Sequence, residues 1–155
     1  MGSSTGPPLR VAIDVTSGIN QGAGVGRVTR EAVTALAARP EALDLRLFYT
    51  PEETPVARAG ECWLAELAAR SERVRVRRLP FPARWTARLW LRLRLPLPAE
   101  LVTGRVDLLL APDFVAPPTA WARTIVTIHD LSYLAVPQYA DPGLRRYLSG
   151  AVPRS

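Results

Sequence analysis

The single histidine of this chain stands at the end of an apolar stretch and is followed at once by an aspartate. Residues 124–129 are rich in β-branched side chains and predict a buried strand, which His129 closes and Asp130 follows. In open α/β sheets, ligands bind at the carboxyl ends of the strands. A lone histidine is more often structural than functional, but this position beside Asp130 favours a role at a ligand-binding edge.

A second carboxylate is expected at the same edge, because Asp113 follows the predicted fourth strand in the sequence Ala-Pro-Asp-Phe. A serine hydrolase is not favoured, since the chain has no Gly-x-Ser-x-Gly and no nucleophile matched to His129. A metal site would need more ligands than His129, Asp130 and Asp113, and both carboxylates also have an ordinary interpretation as turn or cap residues. The set suits hydrogen bonds to a polyhydroxylated ligand better than proton transfer.

Three glycines, Gly22, Gly24 and Gly26, lie between the first predicted strand and the first predicted helix. Glycine lets backbone N–H groups approach an anion, and a helix amino terminus adds favourable partial charge, so the loop predicts phosphate binding. The alternative is that the glycines relieve a crowded turn. An NAD site is not favoured, because the spacing is Gly-x-Gly-x-Gly and six residues separate Val15 from the first glycine.

The elements that must position these residues follow from the apolar periodicity. Strands are predicted over residues 9–15, 45–49, 73–79, 106–111 and 124–129. Helices are predicted over residues 25–38, 62–69 and 84–95 and from residue 141 onward. The first helix is expected to bury Val25, Val28, Ala32 and Leu36. The alternation of strands and helices, with central strands apolar on both faces, predicts an α/β fold: a Rossmann-like, doubly wound, mostly parallel sheet.

Composition is that of one soluble globular domain, with 48% apolar and 22% charged residues. Residues 1–8 predict a disordered leader and residues 9–155 the domain, whose sheet we expect to be incomplete at the carboxyl end. Cys62 is the only cysteine, which excludes an internal disulfide and a cysteine-based zinc site and favours a reducing, cytoplasmic setting. No apolar run approaches the length of a membrane span.

All 20 basic residues are arginine, and the net charge is +6. Residues 73–94 contain eight arginines and no acidic residue. Arg73, Arg75 and Arg77 alternate along the third predicted strand. This pattern predicts either an edge strand protected by its charge or a basic binding surface.

The predicted helix over residues 84–95 combines arginine with tryptophan. Its membrane-facing residues are predicted to be Arg84, Trp85, Arg88, Trp90 and Arg92. A basic helix with tryptophan at its margins is typical of a segment that lies on an anionic bilayer. Nucleic acid is a weaker candidate partner, because the site at His129 lies on another part of the fold and resembles no nucleic-acid module.

Several segments, in this order and spacing, resemble one known family. They are Gly-Val-Gly-Arg-Val-Thr-Arg-Glu at residues 24–31 after a strand ending in Ile13-Asp14, Ala-Pro-Asp-Phe at 111–114, Val-Thr-Ile-His-Asp-Leu-Ser-Tyr at 126–133, Pro137, and Arg145-Arg146-Tyr147. Together they are similar to the amino-terminal domain of family-four glycosyltransferases with the GT-B architecture. The resemblance covers residues 9–155, of which residues 50–105 are much less characteristic.

The resemblance implies a retaining transferase that moves a hexose from a nucleotide-sugar donor to a lipid-linked or polysaccharide acceptor, without an essential metal or another cofactor. In that family the donor lies in a cleft between two Rossmann-like domains. By resemblance, Gly24 and Gly26 line the cleft near the donor phosphates, and His129 contacts the transferred sugar as the catalytic candidate. Asp113 and Asp130 are then expected to bind donor or acceptor.

Arg27 has two interpretations under this resemblance: it neutralises a donor phosphate, or it pairs with Glu31 one turn later. The implied acceptor belongs to a cell-envelope polysaccharide, and the implied location is cytoplasmic or peripheral on the inner face of the membrane, with no nucleic-acid partner. The nucleotide-binding domain of the family is not among the 155 residues, so we expect this chain to be inactive alone. The alternative is a non-catalytic basic α/β module that binds an anionic membrane surface or nucleic acid.

Overall fold

Within the described residues, 6–39, 42–80 and 98–154, five parallel strands form one sheet in the order β3-β2-β1-β4-β5. The strands are β1 (Leu9–Asp14), β2 (Leu43–Tyr49), β3 (Val74–Arg78), β4 (Leu108–Ala111) and β5 (Arg123–Val126). In this computed structural model β1 is central, with Ile13 opposite Leu47 of β2 and Leu110 of β4. The chain builds one side of the sheet first and then returns past β1 to add β4 and β5.

Helices flank this sheet. In the described part they are α1 (Thr16–Asn20), α2 (Val25–Ala37), α3 (Pro55–Ala69), α4 (Glu100–Thr103), α5 (Ser132–Ala135) and α6 (Pro142–Ala151), followed by a 3-10 turn at Val152–Arg154. The start of α3 is marked in the sequence: the Thr54 hydroxyl accepts a hydrogen bond from the Ala57 N–H at 3.1 Å, and Pro55 occupies the first turn.

Apolar side chains alternate across the strands, so the sheet has a core on each face. The larger core joins strand residues to α1, α2 and α3 through Ile13, Leu45, Leu47, Ile19, Val33 and Leu64. The smaller core lies on the other face and contains Ala12, Phe48, Leu109, Ala99 and Val106. The predicted α/β fold with a parallel sheet is therefore confirmed, and the strands apolar on both faces are the central ones.

The short helix α1 occupies part of the segment predicted as loop, and two glycines let the longer helices approach it. A Cβ atom on Gly26 of α2 would lie 2.1 Å from the carbonyl oxygen of Gln21. A Cβ atom on Gly60 of α3 would lie 2.6 Å from the carbonyl oxygen of Ile19. Both distances are far below van der Waals contact, so only glycine fits at either position.

The close approach to α1 also decides which face of α2 is buried. Gly26, Thr29 and Val33 are buried, and the Thr29 hydroxyl lies 2.9 Å from the Ser17 hydroxyl of α1. Val28 is 52% exposed, and the prediction that it is a core residue was wrong, as it was for Ala32, which is also exposed. Small and polar residues form the contact, so apolarity did not reveal it. Leu36 does pack against the core as predicted.

β5 is a short edge strand whose side chains are largely exposed. It ends at Val126, three residues before His129, and Ile125 is 50% exposed. The prediction of a buried strand over residues 124–129 was therefore wrong in length and in burial. An apolar β-branched run does not reveal whether a second strand or a helix covers it.

Charged contacts close the amino-terminal end of the sheet. Arg10 of β1 forms a bidentate ion pair with Asp107, with distances of 3.0 and 2.6 Å, and these hydrogen bonds lower the pKa of Asp107 to about 2. Glu100 of α4 is buried, and desolvation would raise its pKa, but the backbone N–H groups of residues 120–122 together lower it. These contacts hold the segments that precede β4 and β5 at the amino-terminal ends of the strands.

β3 forms the second edge of the sheet, and Arg73, Arg75 and Arg77 are exposed there, in agreement with a charged edge strand. The predicted membrane-facing residues Arg84, Trp85, Arg88, Trp90 and Arg92 lie outside the described residues, as do residues 1–5 of the predicted leader. Among the helices that the structure describes, none combines the length and the apolar composition needed to cross a membrane.

Candidate functional site at the carboxyl ends of the strands

β1 and β4 are neighbours in the sheet but are separated in the sequence by β2 and β3. From β1 the chain continues to one side of the sheet, and after β3 it crosses to the other side. The loops that follow two such strands diverge and leave a crevice outside the carboxyl ends, where α/β proteins bind ligands. The candidate site lies at this switch point, beyond Asp14 of β1 and Ala111 of β4.

Asp14 is the last residue of β1 and is partly buried. Burial raises the pKa of its carboxyl group, and the nearby Asp113 carboxylate adds to the shift. The Thr16 N–H opposes it by donating a hydrogen bond of 3.0 Å to Asp14 Oδ1. Its surroundings thus disfavour the charged form of the carboxyl group, whose oxygens can accept hydrogen bonds from ligand hydroxyls.

Asp113 follows β4 by two residues and meets the segment that follows β1. Its Oδ2 accepts a long hydrogen bond of 3.4 Å from Gln21 Nε2. Burial raises the pKa of the Asp113 carboxyl group, while the charge of the His129 imidazole and the Gln21 hydrogen bond act in the opposite direction. Asp113 therefore connects the segments that follow β1, β4 and β5.

His129 lies close to Asp113, and its Nε2 is 2.7 Å from the carbonyl oxygen of Pro112. Because a carbonyl oxygen can only accept a hydrogen bond, this contact places a proton on Nε2. In the neutral ring Nδ1 is then an acceptor, which can take a hydrogen bond from a hydroxyl group. In its neutral form the imidazole therefore adds an acceptor to those of the two carboxylates.

Phe114 has a backbone φ of 54°, the only positive value among the described non-glycine residues. Its ring contacts the His129 ring, with centroids 5.6 Å apart and planes tilted by 60°. The Phe114 N–H donates to the Thr127 carbonyl at 3.0 Å, which ties the segment after β4 to the segment after β5. A bulky residue in this backbone region costs on the order of 1–3 kcal/mol, and such strain concentrates at functional sites.

Tyr147 of α6 brings a phenol to the same carboxylates. Burial raises the pKa of its hydroxyl group, and the charges of Asp113 and Asp14 raise it further. The residue is nevertheless 41% exposed, so solvent and ligands can reach it. At neutral pH the phenol is protonated, and it adds a hydrogen-bond donor to a set composed mainly of acceptors.

Arg30 of α2 holds the loop that carries the glycines. One guanidinium nitrogen donates to the carbonyl oxygens of Gly18 and Gln21 at 2.7 and 2.8 Å, and the other donates to that of Gly22 at 2.8 Å. Gly24 has a φ of 58°, and a Cβ atom there would meet nothing within 4 Å. Glycine is therefore favoured at this position by the positive φ of the backbone, and not by a lack of space for a side chain.

The structure brings two of the predicted site residues together and joins them to the glycine loop. Asp113 and His129 lie near one another, and Gln21, three residues before Gly24, reaches Asp113 from the loop. The groups that the sequence places after β1, β4 and β5 therefore share one edge of the sheet.

Three other predicted residues have different surroundings. Asp130 is exposed and accepts hydrogen bonds from the Ser132 hydroxyl and N–H at 2.5 and 2.8 Å, which lower its pKa and match the turn interpretation. Gly26 has a packing role under the Gln21 carbonyl. Arg27 is exposed and, within the described residues, forms no ion pair with Glu31.

Four residues of this edge were not among the predicted site residues: Asp14, Gln21, Arg30 and Tyr147. Asp14 carried the same signal as Asp113, an acidic residue where a predicted strand ends. Gln21 and Arg30 carried no such signal, because their contacts depend on the turn between α1 and α2. Tyr147 enters the site only through the return of α6 to the sheet edge.

Among the residues that the structure describes, no group of three or more histidine, cysteine and acidic side chains is arranged to hold a metal ion. Comparison of the chain with protein-family models, with curated proteins and with solved structures finds no match. The site itself offers two carboxylates, an imidazole and a phenol beside a loop rich in glycine. This set can exchange many hydrogen bonds with one polar ligand.

Proposed function

We propose that this protein is the acceptor-side domain of a retaining glycosyltransferase, which moves a hexose from a nucleotide-sugar donor to a lipid-linked or polysaccharide acceptor. One observation carries the proposal: Asp14, Asp113 and His129 share the switch-point edge, and Gln21 links them to the glycine loop. Carboxylate and imidazole acceptors suit the hydroxyls of a sugar. The resemblance to family-four glycosyltransferases rests on the same segments and supports the same function.

Charge divides the proposed ligand between two parts of the site. Asp14 and Asp113 disfavour an anionic group, so a hydroxyl-bearing sugar suits the positions beside them. Phosphate suits the amino terminus of α2, where the helix dipole is positive and Gly24 lets the backbone approach. Arg27 is exposed in the first turn of that helix and adds a cation. This order leaves His129 beside the transferred sugar.

The purified 155-residue polypeptide is expected to bind such ligands without transferring a sugar. Transfer in the GT-B architecture takes place in a cleft between two domains, and one wall of a cleft cannot orient the reacting groups or stabilise developing charge. Measurable turnover of a nucleotide sugar by this polypeptide would show the expectation to be wrong.

Binding can be measured through His129, since a single histidine gives a single pair of imidazole NMR signals. Titration with nucleotide sugars and with short glycosides is expected to shift these signals, while NAD should not. Replacing Asp113 with alanine is expected to weaken sugar binding about tenfold, the usual loss for one hydrogen bond to a charged group. Calorimetry with the same ligands gives the affinities.

The matched control is Asp107→Asn, which removes a carboxylate from the opposite end of the sheet. It is expected to leave the affinity for the ligand unchanged. Failure of every sugar and nucleotide sugar to shift the His129 signals at millimolar concentration would contradict the proposal.

The exposed arginines along β3 favour a second candidate, a non-catalytic module that binds an anionic membrane surface. A location on the inner face of the membrane also fits the proposed transferase, so the two candidates share this test. The wild-type protein is expected to float with anionic liposomes. The variant in which Arg84, Arg88 and Arg92 are all changed to glutamine is expected to stay behind. If wild type and variant float equally, these three arginines are not the membrane contact. Sugar binding with no flotation would favour the transferase alone.

A further inference from the structure

The position of the loop between α1 and α2, residues 21–24, decides whether the Gln21 side chain reaches the site. Gln21 ends α1, where its N–H donates to the Ser17 carbonyl at 3.0 Å. Its side chain then spans to Asp113 over a hydrogen bond of 3.4 Å. A distance this long is near the limit of a hydrogen bond, so a small displacement of the loop would break it.

We propose that Arg30 is the positioning residue of this site: by holding one carbonyl oxygen of α1 and two of the loop, its guanidinium sets the place from which Gln21 reaches Asp113. The three contacts are between 2.7 and 2.8 Å and involve both terminal nitrogens of the guanidinium. Because Arg30 lies on α2, these contacts join α1 and the loop to that helix.

Two residues of α2 determine the position of the Gln21 peptide group. Arg30 donates to its carbonyl oxygen at 2.8 Å, and Gly26 lets the same oxygen approach the helix so closely that a Cβ atom would lie 2.1 Å away. Two independent features of one helix thus act on the same carbonyl group. Together they fix the backbone that carries the Gln21 side chain.

Arginine is suited to this task and lysine is not. The guanidinium presents five N–H donors in a rigid planar fork, which can serve three carbonyl oxygens from two nitrogens. An ammonium group is a single point and would hold one or two of them. We therefore expect Arg30→Lys to loosen the loop without removing the charge.

The test follows the titration of Asp113, read from the NMR shift of its carboxyl carbon against pH, in protein without ligand. Asp14, His129 and Tyr147 face the same carboxyl group, so their titrations are fitted together with it. Gln21→Ala removes a hydrogen bond to the ionised carboxylate and is expected to raise the Asp113 titration midpoint by about half a pH unit. Arg30→Gln is expected to raise it in the same direction.

If Arg30 acts through Gln21, the double variant will show no larger shift than the larger single shift. Arg30→Lys is expected to give a smaller shift of the same sign, and it serves in place of Arg30→Gln if that variant does not fold. Arg58→Gln, at an exposed arginine of α3, is the control and should leave the Asp113 midpoint unchanged.

An Arg30 variant that lowers the melting temperature but keeps the wild-type Asp113 midpoint would overturn the proposal, since a purely structural residue behaves in that way. Shifts that add fully in the double variant would overturn it as well. The assignment rests on the proposed function only in treating this edge as the ligand site. The titration needs no ligand. The positioning role of Arg30 can therefore be supported when sugar binding fails, and it can be refuted when sugar binding is found.

Discussion

Three residues at the carboxyl edge carry features that work against stability. Burial raises the pKa of the carboxyl groups of Asp14 and Asp113, because their charged forms are poorly solvated there. Phe114 adds a backbone φ of 54°. Unfavourable features of this kind persist where the surrounding structure holds them for a function. Their concentration at one edge, beside His129, distinguishes this region from the rest of the sheet.

Replacing Asp14 with asparagine is expected to stabilise the fold at neutral pH by on the order of 1 kcal/mol, because a poorly solvated charge disappears while the Thr16 N–H keeps an acceptor. The folded-state pKa of Asp14 is raised. The protonated carboxyl group therefore contributes fully to the stability of the wild-type protein below the unfolded value of 3.8, and this contribution is lost as the pH rises through the folded-state value. The gain should therefore vanish in acid. Urea unfolding at several pH values measures it.

Asp107→Asn provides a control of opposite sign. The pKa of Asp107 is lowered to about 2 by Arg10, so its contribution is present above the unfolded value and is lost as the pH falls toward 2. Because the pair is exposed to solvent, its removal should cost little stability. A loss of stability in Asp14→Asn at neutral pH would show that the Asp14 charge is stabilising.

At the scale of elements, α1 is the part of the fold that the sequence did not predict and on which the site depends. It is five residues long, too short for an apolar period, and it contains glycine and asparagine. Its position follows from the contacts with α2 and α3, where Gly26 and Gly60 leave room for its backbone. Asn20 then joins its end to β2 by donating to the Thr50 carbonyl at 2.9 Å.

Gly26→Ala is expected to destabilise the protein by about 2–3 kcal/mol, because the added methyl group overlaps backbone carbonyl oxygens of α1, which cannot move aside independently. Gly22→Ala is the matched variant in the same loop, where a Cβ atom would meet only Val56 at 3.8 Å. It should change stability by no more than about 0.5 kcal/mol. Chemical denaturation of both variants compares them, and equal losses would refute the packing role of Gly26.

At the scale of the whole molecule, the sheet ends in two unlike edges. β3 presents exposed arginines, which repel another strand. β5 carries a single exposed charge, Arg123, and apolar residues on and after it are exposed: Ile125, Ile128, Leu131, Leu134 and Val136. An edge strand with exposed apolar side chains on and beside it is a template for association with another strand.

The 155-residue polypeptide is therefore expected to self-associate as its concentration rises, and Ile125→Lys should suppress this by placing a charge on β5. Val56→Lys is the control, since Val56 is 43% exposed on α3, which contacts β3 at the opposite end of the strand order. It removes a similar apolar side chain and should leave association unchanged. Sedimentation velocity over a range of concentrations gives the result. A wild-type chain that stays monomeric, or two variants that act alike, would contradict this prediction.

Much of the fold could be predicted from the sequence because its information is local. All five strands lie within or overlap the predicted ranges, since buried strands need apolar runs and punctuation by glycine and proline. Asp113 and His129 could be proposed together because both follow predicted strands. Gln21 and Arg30 could not, since neither residue type nor spacing indicates a contact made across a turn.

The sequence by itself determined the α/β class, the parallel sheet and the presence of polar residues after β4 and β5. Only the tertiary structure decided that β1 and β4 are neighbours, that β5 lies at an edge, and that Asp14 joins Asp113 and His129. The physical reason is the range of the interactions. Periodicity records which side of each element meets the core, whereas strand order and side-chain meetings depend on crossovers that bring distant segments together.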